Sequence, residues 1–118
     1  MNVSSRMRES EIQDAVRLEL GDVRKYPELV LWRNNVGQMI DKDGRRVVFG
    51  VGGKGAADLL GLWSGRFVAI ELKTDRGRQT DEQRRFELLI QSKGGVYVVL
   101  RSVEEARQWA ASMRSKAA

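Results

Sequence analysis

The sequence contains neither histidine nor cysteine among its 118 residues. The lack of histidine excludes a histidine nucleophile, a histidine general base and a histidine-ligated zinc site. The lack of cysteine excludes disulfides and thiolate metal sites, although it does not indicate a cellular compartment. Any metal ion bound here must therefore have oxygen ligands, which suit Mg²⁺, Mn²⁺ or Ca²⁺.

Long hydrophobic runs and proline are also scarce. No apolar run has the length of a membrane span, the N-terminus lacks the apolar segment of a signal peptide, and the chain contains one Pro. We therefore expect a soluble, cytoplasmic protein with no membrane partner. The length suits one domain covering residues 1–118, with 1–8 and 115–118 as loose tails.

Two apolar runs in the middle of the chain predict a β-hairpin. Residues 57–63 and 66–72 have the composition of buried strands, and they meet at Ser64-Gly65, a dipeptide suited to a tight turn. Counting outward from a two-residue turn places Asp58 opposite Glu71. These two side chains then point to the same face of the hairpin.

Three charged residues, Asp58, Glu71 and Lys73, lie in or directly after these apolar runs. Burying such charges costs free energy unless they are paired or bind a metal. Lys73 lies two residues after Glu71 and therefore shares its face. A Glu71–Lys73 ion pair alone would leave Asp58 facing a like charge. The two carboxylates then repel unless one is protonated or a cation lies between them, and a divalent cation is the simpler solution. The net charge of +5 fits a polyanion partner, and a basic surface around a buried acidic cluster is what a metal-dependent nuclease requires.

The remaining patterns predict an α/β domain in which a mixed sheet is flanked by helices, in the order αβββαβα. A helix begins at Glu9, with Ser10 as its N-cap, and two further helices follow capping boxes that begin at Thr80 and Ser102. The predicted strands outside the hairpin are residues 29–34, 45–49 and 96–100.

Asp58, twelve intervening residues and Glu71-Leu72-Lys73 resemble the PD-(D/E)xK nuclease signature, with Ala57 at the variable position before Asp58. A more specific resemblance is to the virus-type replication-repair nuclease (VRR-NUC) family. It extends over almost the whole chain, through residues 10–13, 32–37, 55–61, 70–73 and 79–83. The resemblance implies a restriction-endonuclease-like core.

The resemblance also implies roles for individual residues. Asp58, Glu71 and the backbone carbonyl of Leu72 would bind Mg²⁺, for which Mn²⁺ can substitute. Lys73 would position or deprotonate the attacking water and stabilise developing charge. The family has a functional Glu on the first helix, and Glu11 is the matching residue.

The assignments on the helices have alternatives. Glu11 could be a solvated first-turn acid that favours the helix dipole, and Glu9 competes for the functional role. Gln83 matches a family glutamine near the metal site, but it also completes the capping box of Thr80. We expect Gln83 to serve one of these roles at a time.

The loop at residues 50–55 matches G-x-G-x-x-G, but it leads into a strand instead of opening a helix, so we expect no nucleotide cofactor. The loop is either a plain connector or a means of bringing Lys54 to a phosphate. Arg33, Arg76 and Arg78 are, with Lys54, the candidate DNA contacts. Trp32 and Trp63 are expected in the core.

The residues predict a metal-dependent nuclease. The resemblance implies a Mg²⁺-dependent, structure-selective DNA endonuclease similar to Holliday-junction resolvases, from a bacterial cell or a phage-infected host. A four-way junction needs two symmetric cuts, so a homodimer is expected. One alternative is a nuclease that acts on flaps, ends or plain duplex DNA. Another is a non-catalytic DNA-binding module, which would not require the buried acidic pair.

Overall fold

The computed structural model describes residues 7–117, which form helices and strands. They are α1 (Glu9–Leu20), β1 (Leu29–Arg33), β2 (Gly37–Ile40), β3 (Arg46–Phe49), β4 (Leu59–Trp63), β5 (Arg66–Leu72), α2 (Asp81–Ser92), β6 (Val96–Leu100) and α3 (Val103–Ala117).

Four strands form the main sheet in the order β1-β4-β5-β6. The pairs β1–β4 and β4–β5 are antiparallel, whereas β5 and β6 are parallel and are joined through α2. The β2–β3 pair forms a separate two-stranded ribbon. The helices and the strands of the main sheet follow the predicted order αβββαβα, whereas the strand predicted at residues 45–49 is β3 of the ribbon. Strand β2 was not predicted, because four residues beginning with Gly37 carry little strand signal.

The turn between β4 and β5 sets the register that the sequence predicted. Ser64 and Gly65 have φ values of 46° and 84°, which is typical of the type I′ turn that favours two-residue hairpins. The ladder runs from Trp63 opposite Arg66 to Leu59 opposite Ile70. The next residues outward are Asp58 and Glu71, so the predicted register is confirmed.

The two faces of the main sheet are covered unequally. One face packs against α1 and α3 and forms the larger core, in which Trp63 meets Trp109 edge to face with ring centroids 5.6 Å apart. The other face packs against α2 through a smaller cluster that includes Phe86 and Tyr97. Trp32 lies on this second face at the edge strand β1 and is 54% exposed, so the expectation that it lies in the core was wrong.

The chain ends also differ from expectation. Helix α1 begins at Glu9 with Arg8 as its N-cap, in place of Ser10. Residues 115–117 belong to α3 and are not a tail. The other expected tail residues, 1–6 and 118, lie outside the described residues. Within residues 7–117, no helix has both the length and the apolar character required to cross a membrane.

A buried carboxylate joins α1 to α3. Glu19 is 8% exposed, and its Oε2 accepts a hydrogen bond from the Tyr26 hydroxyl at 2.7 Å. Lys25 Nζ lies 3.1 Å from its Oε1, and Arg107 Nε of α3 lies 3.4 Å from its Oε2. The Tyr26 hydrogen bond, with help from Lys25 and Arg107, lowers the pKa of Glu19 to about 2.

Acid should therefore weaken the fold through Glu19. Its pKa is lower in the folded state than the usual 4.5, so its contribution is complete above the unfolded value and is lost as pH falls towards 2. The shift corresponds to at most about 3 kcal/mol. In urea unfolding, Glu19→Gln should be less stable than the wild type at neutral pH, and the difference should shrink below about pH 4.

Glu104→Gln is the matched control, because Glu104 also pairs with Arg107 but its side chain is 68% exposed. Its unfolding free energy should follow that of the wild type at every pH. A Glu19→Gln deficit that is equally large in acid and at neutral pH would contradict the assigned pKa.

Candidate metal and active site

Glu71 lies at the centre of the site, on the α2 face of β5, and is 1% exposed. Its Oε2 accepts a hydrogen bond from Gln83 Nε2 at 3.0 Å and lies 3.9 Å from Lys73 Nζ. Lys73 is also buried, at 8% exposure. The strand alternation therefore places the carboxyl group and the ammonium together, as the sequence predicted.

Asp58 immediately precedes β4 and is fixed from two sides. Its Oδ2 accepts the backbone N–H of Leu72 at 2.8 Å, which ties the carboxylate to β5. Its backbone carbonyl accepts the N–H of Asn34 at 2.8 Å. The Asn34 side chain also donates to the carbonyl of Ala57 at 3.1 Å and bonds Val51 in both directions. Asn34 thus anchors the loop that delivers Asp58 to the site.

The acidic residue that α1 supplies is Glu9. Carboxylate oxygens of Glu9, Asp58 and Glu71 all lie within 4.8 Å of one another. Glu11, the residue favoured from the sequence, instead accepts the N–H of Arg8 at 2.8 Å and caps the helix. Glu9 precedes Ile12 by three residues and Val16 by seven, so it lies on the buried stripe of α1, whereas Glu11 is the third residue of the helix and completes its cap.

The environment of Glu71 is unfavourable for a negative charge. Burial, together with the adjacent Asp58, raises its pKa to about 9, and the opposing effect of the Lys73 ammonium is smaller. Its Oε1 is buried and, among residues 7–117, has no hydrogen-bond partner. A buried carboxylate oxygen without a partner is rare in folded proteins.

These features fit a hard divalent cation. The three carboxylates can each offer an oxygen, which is the ligand type that Mg²⁺ and Mn²⁺ prefer. A cation would supply the missing partner of Glu71 Oε1 and would balance the like charges of Asp58 and Glu71. The donor set therefore fits the metal that the sequence analysis expected.

Gln83 serves both of the roles that the sequence analysis treated as exclusive. Its Oε1 accepts the backbone N–H of Thr80 at 2.9 Å, and its backbone N–H donates to Thr80 Oγ1 at 3.1 Å. Its Nε2 is left free by this capping box and donates to Glu71. The expectation was wrong because an amide has separate donor and acceptor atoms, which can act at the same time.

A cavity of about 1040 Å³ opens onto the acidic cluster. Arg33 and Lys54, two of the predicted DNA contacts, line it. Lys54 Nζ lies 3.4 Å from Glu82 of α2. Arg76 and Arg78, the other two, are exposed on the loop after Lys73 and are not among the residues that line the cavity.

The comparisons with known proteins agree with this fold. No protein-family model matches the sequence, and no curated protein is similar to it. A solved structure described as a VRR_NUC domain has the same fold, with a TM-score of 0.54 and 19% sequence identity. The match covers 85% of this chain and 90% of that chain. It confirms the predicted restriction-endonuclease-like fold and supports the VRR-NUC resemblance.

Substitution of Glu9 should weaken metal binding, whereas substitution of Glu11 should not. Glu9→Gln removes one of three clustered charges and should lower the affinity for Mn²⁺ by roughly tenfold or more, as measured by isothermal titration calorimetry. Glu11→Gln is the matched control on the same helix turn, and its amide oxygen can still cap Arg8. The placement of Glu9 would be contradicted if Glu11→Gln, and not Glu9→Gln, reduced the affinity.

Proposed function

We propose that this protein is a metal-dependent deoxyribonuclease that hydrolyses phosphodiester bonds at the Asp58–Glu71 site. The observation that carries the proposal is the partnerless Oε1 of Glu71 inside a cluster of three carboxylates, beside a buried lysine. The likeness to the VRR_NUC domain supports the same chemistry. Mg²⁺ is the proposed ion, with Mn²⁺ as a substitute.

A divalent ion held by Glu9, Asp58 and Glu71, with the carbonyl of Leu72, would polarise the scissile phosphate and lower the pKa of a water molecule. Gln83 holds Glu71 Oε2 through one hydrogen bond, which leaves Oε1 directed away from that partner. Lys73 lies close enough to orient the attacking water and to stabilise charge that develops on the phosphate.

The surroundings of the cluster suit a nucleic-acid backbone. The net charge of the chain is +5, and Arg33 and Lys54 bring positive charge to the cavity that contains the carboxylates. Phosphate contacts of this kind position a substrate without reading its sequence. Arg76 and Arg78 extend the basic surface along the loop that follows Lys73.

A non-catalytic DNA-binding module accounts less well for the structure. Binding alone requires basic residues at the surface. It gives no reason for burying Glu71 and Lys73, which costs free energy. Clustered carboxylates at the cavity floor would also repel a phosphate backbone in the absence of a cation.

Cleavage of a panel of DNA substrates, with Mg²⁺ or with EDTA, tests the activity. Asp58→Asn and Lys73→Ala should each lower the cleavage rate by about 10²-fold or more, because each removes a group that acts on the reacting atoms. Lys93→Ala is the control, since Lys93 is an exposed lysine at the end of α2. Activity that survives EDTA or both site variants would contradict the assignment, and binding without cleavage in Mn²⁺ would favour the binding module.

We further propose that the substrate is branched DNA and that the active form is a homodimer. The β2–β3 ribbon supports the dimer, because its strands pair only with each other among the described residues and its side chains remain exposed. Met39, Ile40 and Val48 are 56%, 64% and 58% exposed. An isolated two-stranded ribbon is marginally stable in water, and exposed apolar surface of this kind marks protein contacts.

A second copy of the chain is the partner that this surface suits. The ribbon also lines the cavity, through residues such as Val48 and Phe49, so a two-fold contact there would bring two cavities together. Two symmetric cuts in a four-way junction require such an arrangement. Flaps, ends or plain duplex DNA remain the alternative substrates, for which one active site is enough.

Light scattering on the purified protein tests the dimer. The wild type should have about twice the chain mass of 13.4 kDa at micromolar concentration, and Ile40→Asp should be monomeric because it places a charge in the apolar contact. Leu18→Asp is the matched control, since Leu18 is 82% exposed on α1 and distant in sequence from the ribbon. A wild-type monomer, or a dimer that Ile40→Asp leaves intact, would contradict the ribbon interface.

A further inference from the structure

Arg101 follows β6 and reaches the loop that follows β5. Its Nη1 donates hydrogen bonds to the carbonyl oxygens of Thr74 at 2.6 Å and Gly77 at 2.7 Å. The N–H of Gly77 also donates to the Thr74 carbonyl, at 3.1 Å, and closes a turn over residues 74–77. One guanidinium therefore holds both ends of this turn.

Arg101 is itself well anchored. Its backbone N–H donates to Glu105 Oε1 at 2.9 Å, in the first turn of α3. The residue before it, Leu100, accepts the backbone N–H of Lys73 at 3.1 Å. The backbones of Arg101 and Lys73 are thus held in register by the parallel pairing of β5 and β6.

The turn lies against the stem of Lys73. A Cβ atom placed on Gly77 would be 3.3 Å from Lys73 Cδ and 3.2 Å from Thr74 Oγ1, a tighter contact than side chains normally accept. Glycine at this position leaves room for the stem while the backbone of the turn covers it. The path of the Lys73 side chain therefore depends on where the turn is held.

Lys73 needs this support because its ion pair with Glu71 is long. Its Nζ is 3.9 Å from Glu71 Oε2, which is longer than a hydrogen bond. A lysine side chain has four rotatable bonds and loses considerable rotamer entropy when it is held in one conformation. Packing along the stem is then what restricts the ammonium to the side of Glu71.

We propose that Arg101 is a positioning residue, which clamps the 74–77 turn over the Lys73 stem and so holds the Lys73 ammonium at the reacting phosphate. This inference rests on the proposed nuclease function of the site. Arg101 acts through Lys73, and its loss should lower kcat while leaving the affinity for DNA nearly unchanged. If Arg101 merely oriented Arg76 towards DNA, its loss would raise KM instead.

The test compares Arg101→Gln, Arg101→Lys and the control Arg66→Gln. Arg66 also donates to a carbonyl, that of Gly94 at 3.1 Å, but at the opposite end of β5. Arg101→Gln should lower kcat roughly tenfold or more, because small misplacements of catalytic groups have effects of this size. Arg101→Lys should restore part of the loss, and Arg66→Gln should behave like the wild type.

A double-mutant cycle separates positioning from general stabilisation of the fold. In a Lys73→Ala background, the change Arg101→Gln should cause no further loss of kcat, because the group that Arg101 positions is already absent. Additive losses, or a kcat that Arg101→Gln leaves unchanged, would overturn the proposal.

A readout without catalysis distinguishes this proposal from the nuclease proposal. In protein with ¹³C-labelled lysine, the ε-methylene signal of Lys73, assigned with Lys73→Arg, should shift in Arg101→Gln and stay unchanged in Arg66→Gln. Amide hydrogen exchange at Gly77 should be faster in Arg101→Gln. If the wild type cleaves no DNA, the proposed function fails, and an unmoved Lys73 signal would independently overturn the clamp.

Discussion

The fold places the carboxyl group of Glu71 where its ionisation costs more free energy than it does in water. It is buried on β5, it faces Asp58, and its one hydrogen-bond donor, Gln83, reaches only Oε2. Neighbouring elements place further charges beside it. Helix α1 adds a third carboxylate through Glu9, and Lys73, directly after β5, adds an ammonium group. Burial and the charge of Asp58 raise the pKa of Glu71 more than Lys73 lowers it, so a cation at the cluster would favour the ionised form.

This arrangement depends on strand register more than on any single contact. A slip of one residue between β4 and β5 would turn Glu71 into the core formed with α1 and α3, and it would turn Ile70 and Leu72 to the face of α2. The turn at Ser64-Gly65 prevents the slip, because two consecutive residues with positive φ define a two-residue hairpin. For this reason the pairing of Asp58 with Glu71 was predictable from the sequence, as were the αβββαβα order and the face that carries Lys73.

The contributions of other elements were less predictable, because they depend on how helices pack or on contacts between distant segments. Glu9 shares the helical stripe of Ile12 and Val16, but its approach to Asp58 and Glu71 depends on how α1 packs against the sheet. The hydrogen bonds of Asn34 to Val51 and of Arg101 to Thr74 join residues that are 17 and 27 positions apart. No local pattern indicates such partners, and the dual use of Gln83 required the geometry of both groups that it contacts.

The unequal covering of the sheet links the site to the exposed apolar surface. The face that carries Glu71 is covered by α2, whereas two helices cover the opposite face, and the cavity opens onto the carboxylates. Helix α2 therefore covers only part of it, and Trp32 on the edge strand remains exposed. The ribbon forms another wall of the cavity with its own apolar side chains in solvent. Exposed apolar surface therefore lies beside the cavity, both on the edge strand and on the ribbon.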